Sequence, residues 1–324
     1  MKNISETILV TGSAGFIGFH VSKALLEKGC KVIGVDNLNT YYDIKLKKDR
    51  LKILKAYPEF TFIKLDLCNR TKLKKIFEKY SFSKICHLAA QAGVRYSLKN
   101  PFEYQRSNLE GFLSVIDLAK EFKVKKFVYA SSSSVYGGNT KIPFSIKDDV
   151  SHPVSFYGAT KRANELIAYT YHHLYNLPVV GLRFFTVYGP WGRPDMAYYG
   201  FTKAILEGRS IDIYNFGKMK RDFTYIDDIV DGVLNSLEKP FECELFNLGN
   251  SNTVDLLYFI ECIEKGLSKK ADKKMMPIQP GDVPETYADI DYSREKLGFE
   301  PKIKIEEGIN RFLKWYKEYY GVKS

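Results

Sequence analysis

The chain has 324 residues, enough to bury the core of one large domain or of two modest ones. No uninterrupted apolar stretch reaches the length of a membrane span and no signal-peptide apolar region is present, so neither secretion nor a membrane partner is expected and the cytosol is the expected location. The formal net charge is +11, but the lysines are dispersed along helical patterns with acids among them, which indicates solvated surface rather than a nucleic-acid partner. Such a basic surface suits an anionic small molecule.

Metal-binding patterns are missing from the sequence. The five cysteines and five histidines are scattered, without CxxC or HExxH spacing. We therefore expect reduced thiols and no bound metal.

The N-terminal segment has the order strand, glycine turn, helix. The apolar run Ile8-Leu9-Val10 leads into TGSAGFIG, where Gly12, Gly15 and Gly18 have GxxGxxG spacing, and a helical pattern follows. Glycines there let the backbone turn tightly and approach a pyrophosphate, whose charge is met by the amides of the helix N-terminus. The turn predicts a dinucleotide site, although its first gap is one residue wider than in the commonest fingerprint.

A second apolar run, 31–35, ends in Asp36. An acid about 20 residues after the glycines is well placed to accept hydrogen bonds from both hydroxyls of a ribose, and it repels a 2′-phosphate. This pattern favours NAD over NADP; the alternative is that Asp36 is a solvated strand end.

Short apolar runs then alternate with helical patterns, which predicts an α/β fold with a doubly wound parallel (Rossmann) sheet. The run 177–185 is the predicted sixth strand, and 243–249 is predicted to return to the sheet. Polar and small residues at strand ends, where the crevice of such a fold lies, are Asp66, Ala89, Ala90, Gln91 and Ser132. We expect an NAD-binding domain over 1–186, with a returning segment at about 223–262, and a smaller C-terminal substrate domain over 187–222 and 263–324.

Tyr157 and Lys161 lie one helical turn apart in SFYGATK, and four serines, 131–134, close the preceding strand-like segment. Positions i and i+4 share a helix face, so an ammonium can lie against a phenol. A charge pair about 4 Å apart at an effective dielectric near 20 contributes about 4 kcal/mol, enough to bring a phenol of pKa about 10 toward neutrality. The pattern therefore predicts a tyrosine base, although YxxxK also occurs by chance.

Taken together, these motifs resemble the extended short-chain dehydrogenase/reductase family, and within it the nucleotide-sugar epimerases. The resemblance spans the chain and rests on TGSAGFIG, DNLN, HLAAQAGVRYS, YASSSSVYG, YGATK, LRFFTVYGPWGRPDMA, RDFTYIDD and PGDVPETYAD. It implies that Tyr157 is the base, that Lys161 lowers the pKa of Tyr157 and holds the nicotinamide ribose, and that Ser132 relays the proton, with Ser133 as a hydroxyl that could share this role. The NAD-binding residues expected from these patterns are Gly12, Gly15, Phe16, Ile17, Gly18, Asp36, Asn37, Asn39, Asp66, Leu67, Ala89, Ala90, Gln91, Tyr157 and Lys161.

Carboxylates that related reactions need are absent. Sugar dehydratases of the family carry Thr-Asp-Glu where this chain has 132–134, and its uronate decarboxylases keep the Glu where Ser134 stands. The resemblance thus implies inversion at C4 of the sugar, by oxidation with NAD, rotation of the 4-keto sugar and re-reduction.

Several stretches look like the uronate branch of these epimerases, which implies UDP-glucuronate as substrate and UDP-galacturonate as product. Thr186 stands where UDP-galactose 4-epimerases usually have Asn, and Gln279 where they usually have Arg. A C4 ketone is β to the C6 carboxylate, so that carboxylate must be held still against loss of carbon dioxide. Thr186 and Arg193 are the expected partners of the carboxylate; the alternative for Arg193 is a surface-loop arginine.

Three further residues are expected at the substrate. Arg95 is the weaker candidate for the sugar or the phosphates, Arg221 is expected on the pyrophosphate, and Asp282 on the uridine ribose. A UDP-hexose or UDP-N-acetylhexosamine 4-epimerase is the alternative enzyme, and a non-catalytic NAD-dependent sensor or RNA-binding relative is the third hypothesis. The family further implies a homodimer formed through helices near 101–122 and 155–175, and a role in polysaccharide biosynthesis.

Overall fold

The computed structural model describes residues 6–279 and 281–322. Its main sheet has seven strands in the order β10-β6-β5-β4-β1-β2-β3, and each neighbouring pair is parallel. The strands of the chain are β1 Thr7–Thr11, β2 Lys31–Asp36, β3 Phe60–Lys64, β4 Lys84–His87, β5 Lys126–Ser132, β6 Val179–Phe184, β7 Thr186–Tyr188, β8 Ile211–Ile213, β9 Lys220–Tyr225, β10 Cys243–Leu248, β11 Thr253–Asp255 and β12 Lys273–Met275. The predicted doubly wound parallel sheet is therefore confirmed, including its sixth strand and the return at β10.

Helices cover both faces of this sheet. They are α1 Phe16–Glu27, α2 Ile44–Leu54, α3 Arg70–Lys79, α4 Val94–Lys99, α5 Pro101–Tyr104, α6 Gly111–Glu121, α7 Phe156–Tyr175, α8 Ala197–Leu206, α9 Ile226–Glu238, α10 Leu256–Leu267 and α11 Ile305–Tyr320. Shorter helical turns are Ser133–Tyr136 and Tyr214–Gly217 of 3₁₀ type, and Gln105–Glu110 and Ser293–Leu297 of π type. The helix expected from Pro101 to about residue 122 thus forms with a π turn between α5 and α6.

Local sequence sets several helix ends. Asp43 begins α2 by accepting from the backbone N–H of Lys45 (2.8 Å), and Ser155 begins α7 by accepting from that of Gly158 (3.0 Å). Asn176 ends α7 in the left-handed conformation with φ 52°. These ends fix the helix that carries the YxxxK pattern.

Alternate strand residues face two separate cores. Ile8 and Val10 pack with α1 and α9 on one face, whereas Leu9 packs with α3 and α6 on the other. Because both faces are buried, the strands read as continuous apolar runs.

The strand order reverses at β1, which lies between β2 and β4. In a doubly wound sheet this switch point opens a crevice at the carboxyl ends of the strands. Two small sheets, β11-β9-β7 and β12-β8, lie in the part of the chain that follows β6. The division into two domains at the stated boundaries stays a prediction.

Within the described ranges, no helix combines the length and the apolar character needed to cross a bilayer. Residues 6–279 and 281–322 also contain no cluster of three or more His, Cys, Asp or Glu side chains that could hold a metal ion.

Candidate active site

The glycine turn after β1 is shaped by close backbone contacts. Gly12 has φ +72°, and a Cβ added there would lie 2.8 Å from the backbone nitrogen of Ala89. A Cβ at Gly18 would lie 2.0 Å from the carbonyl oxygen of Gly12. α1 then begins with no side-chain cap and no acidic residue in its first turn. Its first amides are thus available to an anion, as a dinucleotide pyrophosphate requires.

All residues of the expected NAD-binding set line one cleft at the switch point, together with Ser132 and Arg193. Their strands end there: the turn after β1 packs against the segment after β4, and Ser132 ends β5. The fold thus gathers in one cleft predicted residues that lie more than a hundred positions apart in the sequence.

Asp36 lies at the end of β2 and is 8% exposed. Its Oδ1 accepts from the backbone N–H of Leu38 at 2.8 Å, and the ammonium of Lys47 lies 3.8 Å from the same oxygen. Lys47 also donates to Asn39 Oδ1 at 2.8 Å, and burial lowers the pKa of Lys47. Both contacts involve one carboxylate oxygen, so the other is available to a ribose hydroxyl of the kind that the sequence predicts.

The neighbouring strand ends supply further polar groups. Asp66 accepts from Arg106 Nη2 at 2.8 Å, and although burial opposes it, the hydrogen bonds from Cys68 and Arg106 lower the pKa of Asp66. Gln91 lines the cleft with a buried side-chain nitrogen that has no protein partner in the described residues. A buried amide nitrogen without a protein acceptor fits a site that binds a polar ligand. These residues suit the dinucleotide that the turn indicates.

Asn108, in the π turn between α5 and α6, joins the end of β4 to α7. Its side-chain oxygen accepts from the backbone N–H of Gln91 at 2.8 Å, and its nitrogen donates to Gln91 O and to Thr160 Oγ1, both at 3.0 Å. Asn164 in turn donates to the carbonyl of Asn108 at 2.8 Å. This buried network fixes α7 relative to the cleft, and no sequence pattern had indicated it.

Tyr157 and Lys161 lie at the floor of the cleft on one face of α7. The ammonium of Lys161 lies 5.9 Å from the ring centroid of Tyr157 and donates to the carbonyl of Ala130 at 2.8 Å. Ser132 accepts from the backbone N–H of Ser134 at 3.1 Å, and its hydroxyl donates to that of Ser134 at 3.2 Å. The structure thus brings the expected base, cation and relay hydroxyl together.

The electrostatics of this group differ from the expectation that Lys161 lowers the pKa of Tyr157. Burial raises the pKa of Tyr157, while hydrogen bonding by Ser132 and the charge of Arg193 act in the lowering direction. Burial also lowers the pKa of Lys161 to about 8, against the opposing charge of Glu165. In this arrangement Lys161 is directed to Ala130 O, so Arg193 is the cation that acts on the phenol.

Arg193 is itself paired. Its Nε and Nη2 donate to the two oxygens of Asp195 at 3.0 and 2.5 Å, and Tyr41 also donates to Asp195 at 3.0 Å. Burial opposes the charge of Arg193, but Asp195 holds the pKa of Arg193 above its ordinary value. The guanidinium is therefore a fixed cation in the cleft rather than a surface-loop side chain.

The three residues expected at the nucleotide end form a second group. Arg95 donates to Asp282 at 2.7 Å and lies 4.5 Å above the ring of Tyr214. Arg221 donates to the carbonyls of Lys220 and Pro284; burial lowers the pKa of Arg221, Asp282 opposes this change, and Arg95 adds to it. The two arginines and the aspartate are thus electrostatically coupled.

Arg95, Arg221 and Asp282 do not line this cleft, and neither do two further expected substrate residues, Ser133 and Thr186. Ser133 begins the 3₁₀ turn after β5, and Thr186 begins β7, whose neighbour Val187 does line the cleft. Both lie one residue from a lining side chain, Ser132 and Phe185 respectively.

Most lysines of the helical patterns are expected to be solvated, but on α2 Lys47 is an exception at 5% exposed, and the nearby Arg50 is 0% exposed. Their spacing could have revealed this, because they share a helix face with the apolar Leu51 and Leu54. Tyr41 and Tyr42 also line the cleft, and Asp195 pairs with the cleft residue Arg193; motif matching singled out none of the three.

The chain is similar to known proteins over most of its length. The model of the NAD dependent epimerase/dehydratase family matches residues 8–249. UDP-glucuronate 4-epimerase 4 of Arabidopsis thaliana is 47% identical, over 98% of this chain and 77% of the plant protein. The crystal structure of the UDP-glucuronic acid 4-epimerase of Bacillus cereus, in complex with UDP-glucuronic acid and NAD, is similar with a TM-score of 0.91 and 35% identity, over 97% of this chain and 100% of that one. That of the UDP-glucose 4-epimerase of Thermotoga maritima with UDP-glucose has a TM-score of 0.89 and 30% identity, over 97% and 99%.

The chain therefore belongs to the NAD dependent epimerase/dehydratase family. The predicted class, an NAD-dependent nucleotide-sugar epimerase, and the predicted cofactor, NAD, are confirmed at the level of that family and its relatives.

Proposed function

We propose that the protein is a UDP-glucuronate 4-epimerase, which interconverts UDP-glucuronate and UDP-galacturonate. The observation that carries the proposal is a cleft in which Arg193 lies with Tyr157 and Ser132. The guanidinium suits the C6 carboxylate of a uronate, and its charge acts on the phenol that would serve as the base.

The distribution of acids in the cleft supports inversion over elimination or decarboxylation. The acidic residues that line it within the described ranges are Asp36 and Asp66, which lie at the ends of β2 and β3 and have cationic neighbours, Lys47 and Arg106. The two residues that follow Ser132 in the sequence carry hydroxyl groups and not carboxylates. Dehydration across C5 and C6 would lack its acid and base.

The reaction follows from these residues. Bound NAD supplies reversible hydride transfer at C4 of the sugar. Tyr157 takes the proton of the C4 hydroxyl through Ser132, holds it while the 4-keto sugar turns over in the cleft, and returns it to the C4 oxygen of the inverted sugar. Lys161 would hold the nicotinamide ribose of the cofactor, and Arg193 with Thr186 holds the C6 carboxylate so that carbon dioxide is retained.

For the nucleotide part of the substrate we propose Arg221 on the pyrophosphate and Asp282 on the uridine ribose, with Arg95 near the sugar or the phosphates. Their mutual coupling supports a shared subsite, since the ion pair of Arg95 with Asp282 lies beside the charge of Arg221. An anionic diphosphate would satisfy both guanidinium groups.

A second candidate is a 4-epimerase of neutral UDP-hexoses or UDP-N-acetylhexosamines. The observation that favours it is the ion pair of Arg193 with Asp195, because a guanidinium that is already neutralised has less to offer a carboxylate. Similarity to the UDP-glucose 4-epimerase structure also supports it.

One assay separates the two. Purified protein with NAD is given UDP-glucuronate, UDP-glucose or UDP-N-acetylglucosamine, and the anomeric proton signals of substrate and product are followed by NMR. We expect UDP-galacturonate from the first substrate without UDP-pentose, and no product from Tyr157→Phe. Faster conversion of a neutral sugar, or UDP-pentose as the main product, would overturn the assignment.

We also propose that the protein is a homodimer that forms through α5, α6 and α7. Large apolar side chains stand exposed on these helices: Phe102 is 82% exposed, Leu113 46%, Leu166 53% and Tyr169 60%. Such a face suits burial against a second copy. Light scattering after gel filtration should give twice the chain mass of 37.3 kDa, and Leu166→Glu should shift it to the monomer value.

A further inference from the structure

Arg50 is a fully buried arginine whose hydrogen-bond acceptors carry no charge. It lies on α2 and is 0% exposed. Its Nη1 donates to the carbonyl of Ala14 at 2.9 Å and to the hydroxyl of Tyr42 at 2.8 Å, and its Nη2 donates to the carbonyls of Trp191 at 2.5 Å and Gly192 at 3.1 Å. Burial of a guanidinium without a counter-charge costs free energy of folding. The placement of Arg50 therefore suggests a functional role.

The carbonyl acceptors belong to two separate parts of the site. Ala14 lies inside the glycine turn, between Gly12 and Gly15. Trp191 and Gly192 belong to the loop after β7. One side chain thus cross-links the turn that suits the dinucleotide to the loop that carries Arg193.

The backbone of this loop has a conformation that is unfavourable without contacts from the rest of the protein. Trp191 has φ +59°, a left-handed conformation that is unfavourable for a tryptophan. At Gly192, a Cβ would lie 1.8 Å from the hydroxyl oxygen of Tyr198. The ring of Trp191 packs against Phe19 at 5.6 Å and Trp315 at 5.2 Å, and Arg50 holds its carbonyl. The strained path therefore depends on the surrounding contacts.

A second tie supports the same docking. His20, on α1, hydrogen-bonds through Nε2 to the carbonyl of Pro190 at 3.0 Å. Burial chiefly lowers the pKa of His20 to about 4, the bond to Pro190 opposes this, and the charge of Arg50 adds to it. His20 is thus neutral at physiological pH and donates to the loop without adding charge.

We infer that Arg50 is a positioning residue that holds loop 190–192 on the glycine turn and so sets the place of Arg193 in the cleft. The inference rests on the proposed function, since Arg193 is there the partner of the substrate carboxylate. Arg193 follows Gly192 directly, so a shift of the loop backbone moves its guanidinium away from the carboxylate and from Tyr157. Small misplacements of a binding group are enough to change both affinity and reaction outcome.

A poorly held carboxylate has a chemical signature. In the 4-keto uronate the C5–C6 bond can break, its electron pair passing to the C4 ketone as an enolate while carbon dioxide leaves; a proton then adds at C5, which yields a UDP-4-keto-pentose. Return to this ketone of the hydride first removed from C4 gives UDP-pentose, so no oxidant or reductant beyond the bound NAD is required. The share of pentose in the product therefore reports how well Arg193 is placed, which a general loss of stability does not.

The test compares Arg50→Lys and Arg50→Met with Lys126→Met, each in the full-length protein with NAD. Lys126 is the matched control, because it is a buried cation (7% exposed) that donates to two backbone carbonyls, those of Lys239 and Phe241, away from the cleft. For both Arg50 variants we expect KM for UDP-glucuronate to rise about tenfold or more and the pentose share to increase several-fold, with a partial return in Arg50→Lys. Values within the range of the Lys126 control would overturn the inference.

A second measurement needs no substrate. The chain has two tryptophans, so Trp315→Phe leaves Trp191 as the reporter of the loop. In that background we expect Arg50→Lys to shift the emission of Trp191 to longer wavelength and to raise its quenching by acrylamide about twofold. Unchanged emission and quenching would count against the inference, even if the protein proved to act on another sugar. Failure of the wild-type protein to epimerise UDP-glucuronate would count only against the proposed function.

If neither Arg50 variant folds, His20→Asn tests the inference instead, because it weakens the hydrogen bond from His20 to the same loop. We expect the KM for UDP-glucuronate and the pentose share to rise in the same direction. A folded His20→Asn protein with wild-type values for both would overturn the inference.

Discussion

Glu165 accepts from Arg183 through both carboxylate oxygens, at 2.8 Å from Nε and 2.9 Å from Nη2, and both side chains are 1% exposed. The hydroxyl of Ser131 also donates to Glu165 at 2.6 Å. Glu165 lies one helical turn after Lys161 and its charge acts to raise the pKa of Lys161. A single buried carboxylate thus ties α7, β5 and β6 together close to Tyr157 and Lys161.

Glu165→Gln should be strongly destabilising, because it leaves the guanidinium of Arg183 buried without a counter-charge. Removal of one partner of a buried ion pair costs about 3–5 kcal/mol. Urea unfolding of the NAD-free protein measures this. The control is Glu261→Gln, which breaks a solvent-exposed pair with Lys265 and should leave the free energy of unfolding nearly unchanged. Similar losses in the two variants would contradict this account.

The sequence predicted the parts of the site that depend on local pattern and strand order. The glycine turn, Asp36 and the pair Tyr157 and Lys161 are defined by neighbours in the chain, and the switch point follows from strand alternation. Side-chain partners across the fold were not predictable in this way. That Lys161 donates to Ala130 O and that Arg193 pairs with Asp195 depend on how separate segments pack. The burial of Arg50 likewise depends on a loop about 140 residues further along the chain.

The free energy of unfolding of Lys161→Met, relative to that of wild type, should be higher near neutral pH than at high pH. The pKa of Lys161 is lowered from 10.5 to about 8 and the side chain is 3% exposed. Between these values the unfolded chain binds more protons than the folded one, so the free energy of unfolding of wild type rises with pH across that window, by roughly 3 kcal/mol. The variant lacks this contribution.

The check is the difference in free energy of unfolding, wild type minus Lys161→Met, in the NAD-free protein from pH 7 to about pH 11. This difference should rise with pH between the two pKa values. Its absolute sign is not decisive, because loss of the bond to Ala130 O adds a contribution that does not depend on pH. A difference that stays flat would show that Lys161 titrates as an exposed lysine does.

Tyr157 should remain a neutral phenol at neutral pH in the NAD-free protein. Burial raises the pKa of Tyr157 above 10.0, and Arg193 acts against this effect. The ultraviolet difference spectrum of wild type minus Tyr157→Phe should therefore show ionisation only on the alkaline side of pH 10, and Arg193→Met should move it further to high pH. A phenolate signal near pH 7 would mean that Lys161 approaches the phenol more closely than its bond to Ala130 O allows.

Arg193→Met should reduce kcat/KM for UDP-glucuronate far more than for a neutral sugar. A hydrogen bond to a charged group contributes about 1.5–3 kcal/mol, which corresponds to a loss of roughly 10- to 150-fold. Any turnover of UDP-glucose, which has no carboxylate, should fall about threefold at most. Equal losses on both substrates would show that Arg193 acts on the reaction only through Tyr157.

Asp195→Asn should improve recognition of the uronate. In the protein Asp195 occupies two donors of Arg193 and accepts from Tyr41, so the incoming carboxylate competes with a carboxylate that is already bound. An amide at this position keeps an acceptor for both neighbours but removes the competing charge. We expect KM for UDP-glucuronate to fall several-fold while that for UDP-glucose stays the same. Tyr41→Phe, which leaves the charge of Asp195 intact, serves as the control and should not reproduce the gain. A rise of KM in Asp195→Asn would mean instead that Asp195 is needed to orient Arg193 toward the sugar.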